Sequence, residues 1–261
     1  MSVRIEQLNI YPVKSLAGIS LQSSILEPEG LQYDRQWMLV DQNGKFISQR
    51  SDERLALFKT FLSNNELIIS YKDSQISVSL EANSHSDLEV EVWQHHVMAE
   101  QQNKEVNEWF RDHLQEYVSL VRYGALSERI KVQPYASMPL RFADGYPLLI
   151  ANQASLNALN KELDRPVPMN RFRPNIVVSG LQAWEEFKTT SFKNDKGAIL
   201  VAKPCERCVV TTIDQKTALK DKKEPLRTLV ALNGSPAIFG VNAYSHDLRK
   251  LEVMDSFDKE N

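Results

Sequence analysis

The chain has 261 residues, with 31 basic and 34 acidic side chains and a net charge of −3. This balance excludes a global positive field for nucleic acid or anionic lipid, so any anion site has to be local. No segment reaches the roughly 18 continuous apolar residues of a membrane span, and residues 1–10, which include Arg4 and Glu6, have no signal-peptide pattern. We expect a soluble cytoplasmic protein that binds neither nucleic acid nor a membrane.

The first ninety residues have the patterning of β-strands. Residues 3–10 alternate in part between apolar and polar side chains, which predicts a strand that ends at Tyr11 and Pro12. Further strands are predicted at residues 37–40, 46–48, 67–71 and 76–80, with turns at residues 41–44 and 72–75. This part of the chain is expected to be an antiparallel β unit.

A helical period follows the β unit. Apolar side chains recur at helical spacing within residues 103–114, which predicts an amphipathic helix. We place a domain boundary after it, between residues 1–115 and residues 116–261. The predicted strands of the second part are residues 118–122, 176–178, 199–202, 209–213 and 238–241. Ser155 is expected to cap a second helix, and the polar tail from Asp255 onward is expected to be frayed.

The two cysteines of the chain, Cys205 and Cys208, lie close to Lys203 and Arg207. These cations stabilise a thiolate, which is the form that binds a metal. A zinc site or an iron–sulfur cluster would need more ligands, since there is no second cysteine pair and His246 is the only histidine after position 113. Three interpretations stay open: a redox disulfide, two inert buried thiols, and a single thiolate ligand to a cofactor.

Cationic and polar side chains are concentrated in segments that have the character of turns. These segments are residues 11–15, 33–37 and 170–175, together with Arg207. Each one alone is typical of a solvated turn or of an arginine packed on an aromatic ring. Together they can supply forked and point cations for a phosphate, and hydroxyl and amide groups for a heterocycle.

Six sequence blocks, in order along nearly the whole chain, resemble one family. They are YPVKSLAG at residues 11–18, YDRQWMLVD at 33–41, FADGYPLLI at 142–150, RFRPNIVVSG at 171–180, AWEE at 183–186 and KPCERCVVTTID at 203–214. The sequence resembles the molybdenum cofactor sulfurase C-terminal (MOSC) family, in its two-domain form, and within it the bacterial relatives of the mitochondrial amidoxime reducing component. The resemblance implies a β-dominated α+β fold, with an N-terminal β-barrel-like domain and a mixed β-barrel MOSC domain.

The resemblance also implies a pterin-based molybdenum cofactor in a cleft between the two domains. Cys208 would be the protein thiolate on molybdenum, in accord with the preference of a thiophilic metal for a soft ligand. The residues that align with the surroundings of the pterin and its phosphate are Lys14, Ser15, Arg35, Arg173 and Arg207. Further candidates for cofactor binding are Asn152, Ser155, Arg171 and Asn175.

The activity implied by the resemblance is reduction of the N–O bond in N-hydroxylated substrates, such as hydroxylamines and amidoximes. Some bacterial relatives carry a ferredoxin-like domain with four cysteines, whereas this sequence has no cysteine after Cys208. Electrons are therefore expected from a separate flavin or iron–sulfur protein. One rival function is a sulfur carrier or cofactor-handling protein with a persulfide on Cys208. Another is an anion-binding module without catalysis.

Overall fold

The computed structural model describes residues 2–81, 86–132 and 137–261. Strands account for 42% of the chain and helices for 18%, which confirms the β-dominated α+β prediction. The strands of the first part are β1 (Ser2–Ile10), β2 (Ile19–Leu21), β3 (Ser23–Glu27), β4 (Gly30–Leu31), β5 (Trp37–Val40), β6 (Lys59–Ser63), β7 (Glu66–Tyr71), β8 (Ser74–Ser79), β9 (Asp87–Val92) and β10 (His95–Gln101). Helix α1 (Lys104–Leu114) follows them.

Ten more strands and two more helices follow α1. The strands are β11 (Ser119–Arg122), β12 (Ile130–Val132), β13 (Ser137–Pro139), β14 (Leu148–Asn152), β15 (Ile176–Ser179), β16 (Ser191–Asn194), β17 (Gly197–Glu206), β18 (Ile238–Tyr244), β19 (Lys250–Glu252) and β20 (Ser256–Glu260). The helices are α2 (Gln153–Lys161) and α3 (Leu226–Asn233), and short 3-10 helices lie at Glu53–Leu57, Met169–Arg171, Glu185–Lys188 and Val209–Thr212. Within the described ranges, no helix has both the length and the apolar character needed to cross a membrane.

Seven strands close into a barrel, in the order β1, β15, β14, β18, β17, β16, β20 and back to β1. Strand β1 completes the ring because it pairs antiparallel with β15, where Leu8 faces Ile176, and with β20, where Val3 faces Phe257. The four apolar residues of β1 that alternate in sequence point into the core and are at most 1% exposed. The first strand of the chain therefore belongs to a barrel that the second part otherwise builds. The division between residues 115 and 116 stays a prediction.

The structure also contains a half-barrel. Strands β5, β11, β10 and β9 make one sheet, and β6, β7 and β8 make a meander. Helix α1 covers this core: Val106 and Phe110 are buried in one cluster with Trp37 and Phe58. The side chain of Asn103 caps the helix by accepting a hydrogen bond from the Val106 N–H at 2.9 Å. The predicted helix and antiparallel unit are confirmed.

The prediction of a strand at residues 209–213 is wrong. Strand β17 ends at Glu206, and Val209–Thr212 is a 3-10 helix. The Thr211 hydroxyl donates to the carbonyl of Cys208 at 3.0 Å, and this local bond offers the backbone an alternative to a sheet. The β-branched side chains that suggested a strand therefore form a tight turn directly after the second thiol.

Three other local predictions also differ from the structure. Helix α2 is capped by Asn152, whose side chain accepts the N–H of the second residue after it, and Ser155 lies inside the helix. The tail after Asp255 is not frayed, because β20 pairs with both β1 and β16. Residues 46–48 form only an isolated bridge from Phe46 to β5, in place of the predicted strand.

Candidate active site

A cavity of about 130 Å³ collects side chains from segments that lie far apart in the sequence. Seven of the ten candidate site residues line it: Lys14, Ser15, Arg35, Arg173, Asn175, Arg207 and Cys208. Cys205 lines it as well. The fold therefore brings the two thiols and the basic turns to one place.

The loops that carry these side chains turn sharply. Ser15, Arg35 and Arg173 have positive φ angles of 73°, 48° and 54°, which residues other than glycine adopt uncommonly. Backbone hydrogen bonds hold the second of these turns: the Arg35 N–H donates to the carbonyl of Tyr11 at 2.9 Å, and the Phe142 N–H donates to the Arg35 carbonyl at 3.0 Å. Strained conformations of this kind cluster at functional sites, where the surrounding structure maintains them.

The ring of Tyr11 positions two guanidinium groups of the cavity. The Cζ atoms of Arg35 and Arg173 lie 4.3 and 4.2 Å from its centroid. Asp34, which is 3% exposed, accepts hydrogen bonds at 2.7 Å from Arg35 and from the Tyr11 N–H. Burial raises the pKa of Tyr11 to about 12 and lowers the pKa of Arg173 to about 10. At neutral pH, Tyr11 is therefore an uncharged phenol and Arg173 is a cation.

Lys14 and Asp144 form an ion pair on another wall of the cavity. Lys14 is 5% exposed, and its Nζ also donates to the carbonyl of Phe142 at 2.9 Å. Burial lowers the pKa of Lys14, and the charge of Asp144 opposes this shift. Desolvation acts to raise the pKa of Asp144, but the charge and hydrogen bond of Lys14 outweigh it, and that pKa falls below its usual range. Asp144 is thus a carboxylate at neutral pH.

Each thiol of the cavity has a guanidinium beside it. Arg50 Nη2 lies 3.3 Å from the Sγ of Cys208, and Arg207 Nη1 lies 2.9 Å from the Sγ of Cys205. Both cysteines are free and half-buried. A neighbouring cation stabilises a thiolate relative to a thiol, so either cysteine can serve as a soft ligand. The choice of Cys208 rests on its position in the family motif, since the geometry gives both thiols a similar setting.

Positive charge dominates the lining. Five cations face the cavity with the single carboxylate of Asp144: Lys14, Arg35, Arg50, Arg173 and Arg207. Among the described residues, the buried Nε of Arg207 has no hydrogen-bond partner. An anion with several oxygens binds to a lining of this charge by charge-assisted hydrogen bonds. The thiols and these cations therefore fit a cofactor that combines a thiophilic metal with a phosphate.

Asn175 fixes the loop around the cavity. It is 2% exposed, its Oδ1 accepts the N–H of Leu149 at 3.1 Å, and its Nδ2 donates to the carbonyl of Asn9 at 3.2 Å. Ser15 contributes its carbonyl, which accepts a hydrogen bond from Gln49 at 2.6 Å. These two candidates shape the wall of the cavity through the backbone.

Three candidate residues lie outside the lining. Asn152 and Ser155 are fully buried, and both donate to the carboxylate of Glu186. Arg171 pairs with Asp214, with 2.9 Å between Nη2 and Oδ2. The structure thus does not bring these three side chains to the cavity, and a role for them in cofactor binding stays a prediction.

Two residues of the lining, Arg50 and Asp144, were not predicted from the sequence. Asp144 is the only acidic residue in the block FADGYPLLI. Its charge within a matched block could have marked it as a candidate site residue. Arg50 lies beyond the turn at residues 41–44, and no motif marked it. In the described parts of the chain, no group of three or more His, Cys, Asp and Glu side chains is arranged to hold a metal ion.

Comparisons with known proteins show the family to which the chain belongs. The MOSC N-terminal beta barrel domain matches residues 2–117, and the MOSC domain matches residues 138–255. Mitochondrial amidoxime reducing component 2 of Homo sapiens is 30% identical over 237 residues, which cover 86% of this chain and 71% of that protein. The protein of the same name from Rattus norvegicus is 31% identical over 234 residues, which cover 84% and 69%.

A molybdenum cofactor sulfurase of Drosophila mojavensis is 29% identical over 247 residues, which cover 91% of this chain but 31% of that protein. The similarity to the sulfurase is thus confined to one part of a longer protein, whereas the similarity to the amidoxime reducing components extends over most of both chains. On the two domain matches and these relatives, the chain belongs to the MOSC family, in the two-domain form with an N-terminal β-barrel domain.

Proposed function

We propose that the protein is a molybdenum-cofactor-dependent oxidoreductase that reduces the N–O bond of N-hydroxylated compounds. The observation that carries the proposal is the cavity in which the thiol of Cys208 lies among five cationic side chains. The similarity to proteins named amidoxime reducing components, over most of their length, supports the same activity.

Six residues of the cavity have defined tasks in this proposal. When bound, the cofactor supplies two-electron chemistry at molybdenum. Cys208 would hold the metal as a thiolate, and Arg50 stabilises that charge. Arg173 and Arg207 would hold the anionic groups of the cofactor, because both side chains line the cavity and carry a positive charge at neutral pH. Lys14 would add a point charge that Asp144 partly neutralises.

The reaction needs an external source of electrons. Reduction of a hydroxylamine takes up two electrons and two protons, breaks the N–O bond, and releases an amine and water. Two cysteines cannot bind an iron–sulfur cluster that needs four, and the sequence has no Gly-x-Gly-x-x-Gly turn for a dinucleotide. We therefore propose that a separate flavin or iron–sulfur protein donates the electrons in a transient complex.

The test is to isolate the protein from a host that makes the cofactor and to measure molybdenum, pterin and labile sulfur. We expect stoichiometric molybdenum and pterin, reduction of N-methylhydroxylamine with reduced viologen, and no turnover with a nicotinamide as the sole donor. Steady turnover with the nicotinamide alone would overturn the need for a separate donor. Protein with neither molybdenum nor pterin would overturn the proposed activity.

A second candidate function is sulfur transfer through a persulfide on Cys208. The similarity to a molybdenum cofactor sulfurase favours it. Arg50 would stabilise the Cys208 thiolate, which takes sulfane sulfur from the persulfide of a donor protein while the donor leaves as a thiolate. Labile sulfur that is lost in a Cys208→Ser variant, in protein without molybdenum, would support this function over the first.

A further inference from the structure

A larger groove adjoins the cavity of the thiols. Its volume is about 570 Å³, and Ser48 and Arg50 line both spaces. The other residues of the groove are Lys45, Phe46, Ser51, Glu91, Trp93, Gln94 and His95. A cofactor in the small cavity would leave little room there. The body of a substrate, beyond its reacting group, therefore has to lie in a neighbouring space such as this groove.

Trp93 is a bulky residue in a backbone conformation that favours glycine. It is the first residue of the two-residue turn between β9 and β10, where Val92 pairs with His95, and its φ is 58°. Two-residue hairpin turns need a positive φ at this position, which Gly, Asn or Asp usually occupies. The chain instead tolerates strain and leaves the residue 37% exposed. An exposed indole at such a position is a reason to ask what its side chain contacts.

Three contacts hold the indole of Trp93 at the mouth of the cavity. The Cζ of Arg50 lies 4.6 Å from its ring centroid, and the ring of Phe46 lies 5.2 Å away with 51° between the planes. The indole Nε1 donates to Asp144 Oδ1 at 3.3 Å. Because Arg50 also reaches the Sγ of Cys208 at 3.3 Å, one side chain separates the indole from the proposed metal ligand.

We propose that Phe46 and Trp93 form an aromatic shelf that binds a planar aromatic group of the substrate. Trp93 then sets a preference for aryl over small alkyl N-hydroxylated compounds. Tilted and offset rings attract one another beyond the gain from apolar burial, and both side chains line the groove. The inference rests on the proposed function for the reaction itself, whereas binding of an aromatic ring to the shelf can be measured without turnover.

The variants are Trp93→Gly, Trp93→Phe and Tyr117→Ala. Trp93→Gly removes the indole and also relieves the positive φ, so it should fold at least as well as the wild type. Trp93→Phe keeps an aromatic face. Tyr117 is the matched control, because it is 52% exposed and is stacked with Arg111 at 4.0 Å, away from both the cavity and the groove.

Kinetics would be measured on the loaded protein with reduced viologen and two substrates, N-phenylhydroxylamine and N-methylhydroxylamine. In Trp93→Gly we expect the KM for the phenyl compound to rise about tenfold, which corresponds to about 1.4 kcal/mol and lies at the upper end of the usual contribution of one aromatic pair. The KM for the methyl compound should stay within about twofold, and Trp93→Phe should recover most of the loss. An equal change for both substrates, or an equal loss in Tyr117→Ala, would overturn the shelf.

Binding would be measured separately by saturation-transfer NMR with aniline as the probe. We expect a signal with the wild type and with Tyr117→Ala that is lost in Trp93→Gly. An undiminished aniline signal in Trp93→Gly would overturn the shelf. A wild type that reduces neither hydroxylamine would overturn the proposed function, and the aniline comparison would still decide whether the shelf binds an aromatic ring.

Discussion

Two clusters of polar side chains differ in how many of their hydrogen-bond and charge partners the chain itself supplies. Around Glu186, which is fully buried, Asn152 and Ser155 donate to the carboxylate, and the Ser155 hydroxyl accepts the N–H of Trp184 at 2.8 Å. Around Cys208, by contrast, five cations share one cavity with a single carboxylate. The polar groups around Glu186, here called the Glu186 cluster, bond to one another. The side chains around Cys208, here called the Cys208 cluster, leave positive charge for a ligand.

This contrast separates a structural network from a binding site. Buried polar groups with all partners supplied by the chain rigidify the fold, and the loss of one partner costs the desolvation of the other. An excess of cations over carboxylates around a cavity costs stability in the free protein, and an anion that binds there compensates part of this cost. Residues of the Glu186 cluster should therefore change stability when replaced, and residues of the Cys208 cluster should change cofactor binding.

In the Cys208 cluster, the largest effect is expected from replacement of the two cysteines. We expect Cys208→Ser to abolish molybdenum-dependent turnover, because a hydroxyl is a poor substitute for a soft thiolate on this metal. Cys205→Ser should be milder, although its Sγ lies 2.9 Å from Arg207. Turnover per bound cofactor, measured in both variants, shows which thiol is the metal ligand. Near-normal turnover in Cys208→Ser, or greater damage in Cys205→Ser, would show that the ligand is assigned to the wrong thiol.

Arg173→Ala tests whether the cations of the cavity bind the cofactor. Loss of one charge-assisted contact to a buried anion should weaken binding by about 2–5 kcal/mol. We expect a smaller effect on the free energy of unfolding, because this guanidinium lies on the ring of Tyr11 and faces the cavity. Cofactor content and thermal midpoint would be measured on the same samples. We expect Lys14→Ala to lower occupancy as well.

Arg171→Ala is the matched control for this prediction. Arg171 lies two residues away on the same segment, but it pairs with Asp214 outside the cavity. Its replacement should leave cofactor occupancy unchanged. If Arg171→Ala and Arg173→Ala lower occupancy equally, the cavity does not define the cofactor site.

Ser155→Ala tests the Glu186 cluster. The variant removes a donor to Glu186 and leaves the N–H of Trp184 without its acceptor. We expect the free energy of unfolding to fall by about 1–3 kcal/mol, which is the usual cost of an unsatisfied buried polar group. Urea unfolding measures the loss, and cofactor content per folded protein should not change. A selective loss of cofactor at normal stability would show that Ser155 takes part in cofactor binding.

The sequence predicted much of the fold because its strongest patterns are local. The alternation of residues 3–10 marks a strand with one buried face, and that strand closes the barrel. Alternation cannot show that its partners are β15 and β20, which lie far along the chain. Residues 209–213 misled the prediction because their β-branched side chains favour strands, whereas the Thr211 hydroxyl bonds back to the Cys208 carbonyl.

The residue types of the sequence helped to predict the site, but the sequence did not show the hydrogen-bond partners of these residues. Lys14, Arg173 and Cys208 reach the cavity because the turns of their blocks converge there. Asn152 and Ser155 have equally polar side chains, but the sequence does not show that Glu186 takes up their hydrogen bonds. A candidate list from motifs therefore mixes residues that line the cavity with residues that do not, and only the structure separates the two groups.

The smallest expected effect is an opposite pH dependence in the two clusters. Burial raises the pKa of Glu186, although Ser155 and Asn152 oppose the shift. The folded state therefore holds this proton to a higher pH than the unfolded chain does, and its contribution to stability is lost as the pH rises. Asp144 has the opposite sign: despite desolvation, its ion pair with Lys14 holds its pKa below the usual 3.8. The unfolded chain binds this proton first on acidification, so the contribution of Asp144 is lost as the pH falls.

Asp144→Asn isolates this contribution. Urea unfolding of the wild type and the variant at pH 6 and pH 3 gives the stability difference at each pH. We expect the wild type to be more stable at pH 6 and the difference to shrink by pH 3. The change should be at most about 1 kcal/mol, because the Asp144 side chain is 62% exposed and solvent screens its charge. A difference that is the same at both pH values would mean that Lys14 and Asp144 do not form an ion pair in solution.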